Sequence, residues 1–381
     1  MLKTETVRVF DSYAFTSKRV REVTKQLDPT NIKILSTMSE VGPRNLLEVS
    51  RLTGIPFTTV YHRVGQIEAK SESMVKLVPR VSHLGLVRMV VLAAAKPGLE
   101  SVVTEAWRIP NYWRVLERCE GAFTNYCVQL IPIKFMKEFR EYISTMHAMN
   151  LIKSYRLIET GDPELMFPDF SNYNSNSGEW TFEWELWLNE LTARGATITI
   201  RDKCCKPVGV QKMSLTMLAH LELNARMKFT EIAERIGTSP QTVKYHYDRL
   251  VSKGVADMFE FFAPPYPMEL SVFHEFMLEF ADASSMDRFF SLAKKLFFVI
   301  QVSKALRRNT LMVSTQILSS QVENLFAFFS EMTNVGLLNS YSGVRINFSG
   351  RQVQTISFEL YDDVSGWQWD RYENLLKLNK L

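Results

Sequence analysis

The chain repeats itself along most of its 381 residues. Apolar helix positions, turn glycines and strand residues recur 183 to 187 residues apart. The matched pairs include Ile32 and Leu215, Leu35 and Leu218, Gly54 and Gly237, Leu151 and Leu337, and Trp180 and Trp367. Because spacing shared across helices, turns and strands is hard to obtain by chance, the sequence predicts two copies of a unit of about 185 residues.

Each copy begins with a pattern of three short helices. In the first copy a helical stripe from Ile32 stops at Gly42-Pro43, and a second short helix ends at Gly54. A third helix is expected from Phe57 to Ala69, with an apolar stripe on one face. Three short helices with a glycine in the second turn are typical of a helix-turn-helix, whose last helix enters the major groove of DNA.

After each group of three helices we expect a wing strand and then a β-α-β-β-α-β order. The predicted elements are 86–95, 97–107, 113–119, 122–131, 134–149 and 152–158 in the first copy, and 272–281, 286–296, 297–305, 311–318, 321–335 and a strand from 337 in the second. This order defines a ferredoxin-like sheet backed by two helices. We therefore predict an α+β fold of two winged helix-turn-helix domains and two ferredoxin-like domains in tandem, with pseudo-twofold symmetry.

The repeat divides the chain into four predicted units. They are residues 1–81 (an N-terminal segment and the first winged helix-turn-helix), 82–192 (the first ferredoxin-like domain, a linker and a tryptophan-rich helix), 193–265 (the second winged helix-turn-helix) and 266–381 (the second ferredoxin-like domain and a C-terminal tail). Residues 170–178 are rich in Asn and Ser and resemble a loop or linker.

Positive charge concentrates where the helix-turn-helix patterns lie. Residues 1–80 carry 13 basic and 8 acidic side chains, and residues 194–254 carry 11 and 5, whereas the whole chain has a net charge of only +4. Since phosphate attraction acts within about a Debye length, local excess matters more than the total. Double-stranded DNA is the expected partner. The chain shows no apolar run long enough for a membrane span and no secretory signal, so a cytoplasmic location is expected.

The cysteines give no sign of a metal site. Cys119, Cys127, Cys204 and Cys205 form no C-x-x-C pair, and the six histidines do not cluster with them. Zinc sites require such spacing. We expect structural thiols, no metal and no cofactor.

Side chains near the start of each third helix are the candidates for reading DNA, because they can reach base edges in the major groove. In the second copy Gln241 suits adenine, Lys244 suits guanine or phosphate, and Arg249 suits phosphate or an intradomain ion pair. The tyrosines and histidines of the set are open to a half-buried or purely surface role, and Thr242 to capping. The full set is Thr58, Thr59, Tyr61, His62 and Arg63 in the first copy, and Ser239, Gln241, Thr242, Lys244, Tyr245, His246 and Arg249 in the second.

The second copy resembles the leucine-responsive/AsnC transcription regulators. The resemblance lies in residues 221–226 (LELNAR), 229–233 (FTEIA) and 236–239 (IGTS), with Thr242-Val243 and Gly254-Val255. The first copy matches more loosely, and the resemblance covers roughly residues 31–160 and 214–347. It implies a winged helix-turn-helix followed by a ferredoxin-like sensor, DNA binding as dimers through the sensor sheets, and small-molecule effectors.

The same resemblance implies a ligand site in the hairpin between the middle strands of the sensor. Family members have a glycine there, followed by an aromatic and an acidic residue. The first copy offers Gly121, Phe123 and Thr124 without the acid, and the second has Arg308-Asn309-Thr310 without the glycine. The first sensor is therefore the better candidate for an effector site.

Two other functions stay open from the sequence. Some proteins of this architecture are decarboxylases acting on sirohaem, which would need clustered basic and polar groups in the sensor domains. The candidates are His83, Arg114, Arg118 and His147 in the first copy and His274, Arg307 and Arg308 in the second. Because they do not fall at matching positions, we expect the chain not to be an enzyme. The other alternative is an architectural or protein-interaction module using the tryptophans at 180, 184 and 187. We expect instead that these tryptophans pack the tail helix onto its own sheet or form the dimer contact.

Overall fold

The structure is a computed structural model that describes residues 27–71, 75–193, 198–202, 207–261 and 265–381. Cys204, Cys205 and the N-terminal part of the first predicted unit lie outside these ranges. Cys119 and Cys127 are free thiols and both are buried. Within the described ranges, no helix combines the length and apolar character that crossing a bilayer requires.

The first half follows the predicted order of elements. The winged helix-turn-helix consists of α1 (Pro29–Val41), α2 (Leu46–Thr53), α3 (Phe57–Ser71) and β1 (Val75–Leu77). The sheet unit consists of β2 (Leu86–Ala95), α4 (Glu100–Arg108), β3 (Trp113–Glu120), β4 (Asn125–Pro132), α5 (Met136–Ala148) and β5 (Ile152–Thr160). The tail consists of β6 (Glu164–Leu165), β7 (Tyr173–Asn174), β8 (Glu179–Trp180) and α6 (Trp184–Thr192). The Asn/Ser-rich stretch 170–178 therefore forms part of the small β7-β8 hairpin.

The second half has the same kinds of element in the same order. The winged helix-turn-helix consists of α7 (Lys212–Leu223), α8 (Phe229–Ile236), α9 (Pro240–Ser252) and β9 (Phe259–Phe261). The sheet unit consists of β10 (Ser271–Phe280), α10 (Ala283–Ala293), β11 (Val299–Lys304), β12 (Thr310–Leu318), α11 (Val322–Asn334) and β13 (Leu338–Val353). The tail consists of β14 (Tyr361–Asp362), β15 (Gly366–Trp367) and α12 (Arg371–Leu378).

The sheets of the two halves are continuous. Nine strands pair in the order β5-β2-β4-β3-β13-β10-β12-β11-β6, and β3 of the first half runs antiparallel to β13 of the second. At the other end, Thr160 and Ala305 form a bridge, and the Gly161 N–H donates to the Lys304 carbonyl at 3.0 Å. The sheet thus closes on itself, which leaves few unpaired edge groups.

The inner faces of the two half-sheets pack against each other. An apolar cluster between them draws residues from both halves, among them Val90, Val128, Met277 and Met312. The outer faces carry the helices, and each belongs to a separate and larger apolar core. Since the inner faces bury each other within one chain, the packing of sheet on sheet that the resemblance implies for dimers is made inside this chain.

The two winged helix-turn-helix units also contact each other. Their wings pair antiparallel, with Val75 opposite Phe261. Arg44 donates to the Met227 carbonyl at 2.8 Å, and Arg226 donates to the Pro43 carbonyl at 2.6 Å. These two contacts join residues 183 positions apart, so each half presents the same turn to the other.

Each tail packs on the opposite half. Trp180 stacks on Phe297 with ring centroids 4.2 Å apart, and Trp187 is buried in the core of the second sheet. Conversely, the indole N–H of Trp367 donates to the Leu84 carbonyl at 2.8 Å. We expected the tryptophan-rich helix to pack on its own sheet or at a dimer contact. The first expectation is wrong, because the chain exchanges its tails between the halves.

Candidate DNA-binding surface and inter-sheet cavity

The second recognition helix, α9, starts from a well-formed cap. Gly237 has φ +69°, a left-handed conformation that glycine adopts without strain and that ends α8. The Ser239 hydroxyl accepts a hydrogen bond from the Thr242 N–H at 3.1 Å, and Pro240 occupies the first turn. Ser and Pro at these positions favour helix initiation. Ser239 and Thr242, both predicted to contact DNA, thus also fix where the helix begins.

Three predicted DNA contacts on α9 are open to solvent. Gln241, Lys244 and Tyr245 are exposed, Tyr245 to 60%. Lys244 forms an ion pair with Asp248 one turn later, and Arg249 is half-buried. Exposed side chains at the start of this helix are the ones that can reach base edges.

His246 corrects the predicted set. It is 6% exposed, and its Nδ1 lies 2.8 Å from the Ser214 hydroxyl of α7. Burial lowers the pKa of this imidazole, and the nearby Arg249 lowers it further. His246 therefore packs α9 against α7 and is not available to DNA.

The first recognition helix, α3, exposes Thr58, Thr59, Tyr61 and His62. In this helix the structure corrects the predicted DNA contact of Arg63. Its guanidinium lies 2.5 Å from the Asp28 carboxylate and 3.1 Å from the Asn31 side-chain oxygen, both at the start of α1. Arg63 joins two helices of its own domain, so a role in DNA contact would require it to leave that pair.

The surfaces around the two recognition helices differ in chemistry. Beside α3 the exposed side chains include Leu47, Leu52 and Phe57, which are 69%, 48% and 44% exposed. At the corresponding positions beside α9 the residues are Thr230, Arg235 and Pro240. The first surface is apolar, whereas the second is polar and basic.

The predicted ligand residues of the first sheet unit have structural roles in the β3-β4 hairpin. Gly121 has φ +126°, which favours glycine. Phe123 packs against the apolar cluster between the sheets. The Thr124 hydroxyl accepts a hydrogen bond from the Ala95 N–H at 2.9 Å. None of the three lines the cavity between the inner faces of the two half-sheets.

That cavity lies between the inner faces of the two half-sheets and has a volume of about 160 Å³. Both halves supply its polar lining. The charged residues on its wall are Arg88, Arg114, Glu117, Glu260, Glu275 and Arg351. We name it the inter-sheet cavity. Its wall also includes Val78 and Pro79, which follow wing strand β1, and Glu260 of wing strand β9.

Glu275 is the most strongly perturbed carboxyl of this wall. Burial raises its pKa to about 7, with the neighbouring Glu117 adding to the effect, while Ser314, Arg88 and Arg351 oppose it. The Ser314 hydroxyl donates to Glu275 at 2.5 Å. A carboxyl with a pKa near 7 exists in both protonation states at neutral pH, so it can take up or release a proton there.

Two arginines of the inter-sheet cavity carry positive charge, opposite to that of the ionised carboxylates. Arg88 is buried and donates to the hydroxyls of Thr160 at 3.1 Å and Ser303 at 3.5 Å. Arg351 lies 3.2 Å from the Glu117 carboxylate, which is itself buried. Charged groups in such surroundings interact strongly because water screens them poorly.

Sequence reasoning missed this site, although one signal was present. Residues on the inner face of β10 and β12 are expected to be apolar. At the equivalent place in the first sheet, Val90 pairs with Val128. In the second sheet the residue four positions before the β10 bulge is instead Glu275, and it pairs with Ser314 of β12. The clue was a glutamate at the inward position between Phe273 and Met277, which both pack into the apolar cluster between the sheets.

The residues that the sequence offered for catalysis do not converge. Arg114 and His274 line the inter-sheet cavity, but the ion-pair partner of Arg114 is Glu222, 2.7 Å away. His83 contacts the Lys253 carbonyl at 2.9 Å, and His147 contacts the Lys153 carbonyl at 3.2 Å. Arg118 donates to Ser101, Arg307 lies 3.7 Å from Glu159, and Arg308 is exposed.

Comparison with known proteins supports part of these expectations. Residues 212–256 match the winged helix-turn-helix DNA-binding family. No curated protein matches the chain significantly. AsnC-family structures align with about a third of it; the Escherichia coli AsnC structure, for example, has 14% identity and a TM-score of 0.29, and covers 36% of this chain and 92% of that one.

Over the whole chain the fold is similar to that of an enzyme, the siroheme decarboxylase NirDL. The TM-score is 0.54 at 11% identity, and the alignment covers 91% of this chain and 97% of that one. For the same enzyme with an iron-uroporphyrin III analogue the values are 0.51, 12%, 91% and 98%. This shared fold overturns our expectation that the chain is not an enzyme, because the architecture that we read as a regulator's is also an enzyme's.

Proposed function

We propose that the chain is a sequence-specific DNA-binding transcription regulator. One observation carries the proposal: the segment that matches a DNA-binding family presents Gln241, Lys244 and Tyr245 exposed at the start of its recognition helix. Glutamine pairs well with adenine, and lysine with guanine or phosphate. The local excess of basic residues in the same region adds attraction for the DNA backbone.

We also infer that a tandem duplication produced the four units 1–81, 82–192, 193–265 and 266–381. The recurrence of elements and the reciprocal Arg44 and Arg226 contacts support it. The recognition surfaces have diverged, since α9 presents hydrogen-bonding groups and α3 presents an apolar surface with Thr58, Thr59 and Tyr61. Apolar side chains contact thymine methyl groups. We therefore expect an asymmetric operator with one half-site read by hydrogen bonds and the other rich in A·T pairs.

Replacing Gln241 and Lys244 together by alanine is expected to lower affinity for the selected operator about tenfold to a hundredfold, because a base contact is worth about 1–3 kcal/mol. The operator would first be selected from a random DNA library with the unaltered protein, and affinity then measured by fluorescence anisotropy at several salt concentrations. Lys137→Ala, an exposed lysine of α5, is the matched control. Equal affinities of the double variant and the control, or no enriched sequence, would reject the proposal.

A second candidate function is decarboxylation of a carboxylated tetrapyrrole such as sirohaem. Only the fold similarity over 91% of the chain favours it. The inter-sheet cavity, at about 160 Å³, is smaller than the roughly 300–1,000 Å³ of typical ligand pockets, so a macrocycle would need another site or an opened fold. Titrating the protein with iron tetrapyrroles distinguishes the two functions. A saturable absorbance shift followed by release of CO₂ supports the enzyme, and an unchanged spectrum rejects it.

A further inference from the structure

The two half-sheets fill equivalent inner positions in different ways. In the first half Val90 pairs with Val128, and in the second Glu275 pairs with Ser314. Val90 and Glu275 each lie four residues before the bulge that interrupts the strand. The first sheet shows that two valines are compatible with this scaffold, and burying a carboxyl carries a free-energy penalty. Folding alone therefore does not account for the Glu275–Ser314 pair.

Charge in the inter-sheet cavity is unbalanced when Glu275 is protonated. Arg114 is compensated by Glu222, and Glu260 is exposed at the wing. The remaining charged groups are Arg88 and the carboxylate Glu117, which are buried, and Arg351, which is half-buried. They sum to one positive charge, which a single monoanion would neutralise. Buried charges are normally compensated.

Glu117 adds a demand for a hydrogen-bond donor. Its side chain is 3% exposed, and its Oε1 receives no hydrogen bond from the described part of the chain, although Arg351 lies 3.2 Å away. A buried acceptor without a donor is costly. The volume of about 160 Å³ is sufficient for a carboxylic acid of three or four carbons.

From these observations we propose that the inter-sheet cavity binds a small 2-hydroxycarboxylate, as the monoanion, with its carboxylate toward the arginines and its hydroxyl donating to Glu117. Binding itself does not depend on DNA. Its regulatory meaning rests on the proposed function, because the cavity wall contains residues beside both wings, Val78, Pro79 and Glu260. An effector held there contacts the segments that connect sensor and DNA-binding units.

Isothermal titration without DNA tests the site with three probes of equal size: lactate (both enantiomers), propionate and alanine. The hydroxyl of lactate satisfies Glu117, so propionate is expected to bind at least tenfold more weakly. Alanine is a zwitterion and leaves the excess positive charge in place, so it should bind more weakly than lactate too. The proposal is overturned if lactate binds no more tightly than propionate and alanine. It is also overturned if no lactate binding is detected at a concentration on the order of 10 mM.

Substitutions in the wall of the inter-sheet cavity provide a second test of the site. Arg351→Gln should weaken lactate binding at least tenfold, whereas Arg345→Gln, on the same strand but paired with Glu120 at the surface, should not. The double change Glu275→Val and Ser314→Val reproduces the valine pair of the first sheet and removes the titrating carboxyl, so lactate affinity should no longer change between pH 6 and pH 8, while the melting temperature stays at or above that of the parent. Equal affinities of the Arg351 and Arg345 variants reject the site.

Affinity should fall about tenfold between pH 6 and pH 8. The pKa of Glu275 is about 7, so its protonated, binding-competent fraction falls about tenfold over that interval. The groups facing it from the surrounding strands are Arg88, Glu117, Tyr126, Ser314 and Arg351. A pH-independent affinity contradicts the charge balance. Failure of any of these tests leaves the DNA-binding proposal standing, since no DNA is present.

Discussion

Replacing Glu222 by alanine is expected to destabilise the fold by about 3–5 kcal/mol, the usual effect of leaving one partner of a buried ion pair alone. Glu222 is 3% exposed on α7 and lies 2.7 Å from the Arg114 guanidinium of β3. It also accepts the Ile356 N–H at 2.6 Å. One carboxylate thus connects the second helix-turn-helix, the first sheet and the chain that follows β13. Its removal leaves the Ile356 N–H without its acceptor and leaves Arg114 with only the Gln354 carbonyl and no carboxylate.

Chemical denaturation of three variants checks this expectation. Glu231→Ala, which removes a surface ion pair with Arg235 on the neighbouring helix, is the control and should cost under about 1 kcal/mol. Glu222→Leu combined with Arg114→Met should recover most of the loss, because apolar replacement of a whole buried pair is often neutral. A loss for Glu222→Ala as small as that for Glu231→Ala would show that this pair does not join the units.

The repeat made the element order predictable. Helix positions depend on local spacing and on stop signals such as Gly54 and Gly237, so the helices and strands lie within a few residues of the predicted ranges. The exchanged tails were not predictable. Trp180 and Trp367 have the same local pattern whether they pack on their own half or on the other, and only the tertiary structure distinguishes the two.

Individual side-chain roles were harder to predict than elements. Helical spacing placed Arg63 and His246 at the edge of the DNA-facing set, but it could not show that Asp28 and Ser214 would hold them. The inter-sheet cavity could not be predicted from the sequence for a related reason. Arg88, Glu117, Glu275 and Arg351 are far apart in sequence, and they meet only because the two half-sheets close face to face.

Glu275 gives the second large effect, a stability that falls as pH rises. In the unfolded chain its pKa should return to the ordinary glutamate value of 4.5, whereas in the fold it is about 7. Between these values the folded state holds a proton that the unfolded state has released, so stability decreases with increasing pH. Over the interval between these two values, at 1.36 kcal/mol per pH unit, the loss approaches about 3 kcal/mol, and it is nearly complete by about pH 8.

Glu275→Gln should remove this loss, because the amide imitates the protonated acid and still accepts from Ser314. The variant should match the parent near pH 4.5 and exceed its stability by about 2–3 kcal/mol at pH 8. Urea denaturation from pH 4.5 to 8, in buffers without carboxylates that could occupy the cavity, measures the difference. Glu279→Gln, on the same strand and bonded to Ser340, is the control and should parallel the parent. A Glu275→Gln curve that also stays parallel would mean that Glu275 is ionised throughout this range, and the charge balance inferred for the cavity would then be wrong.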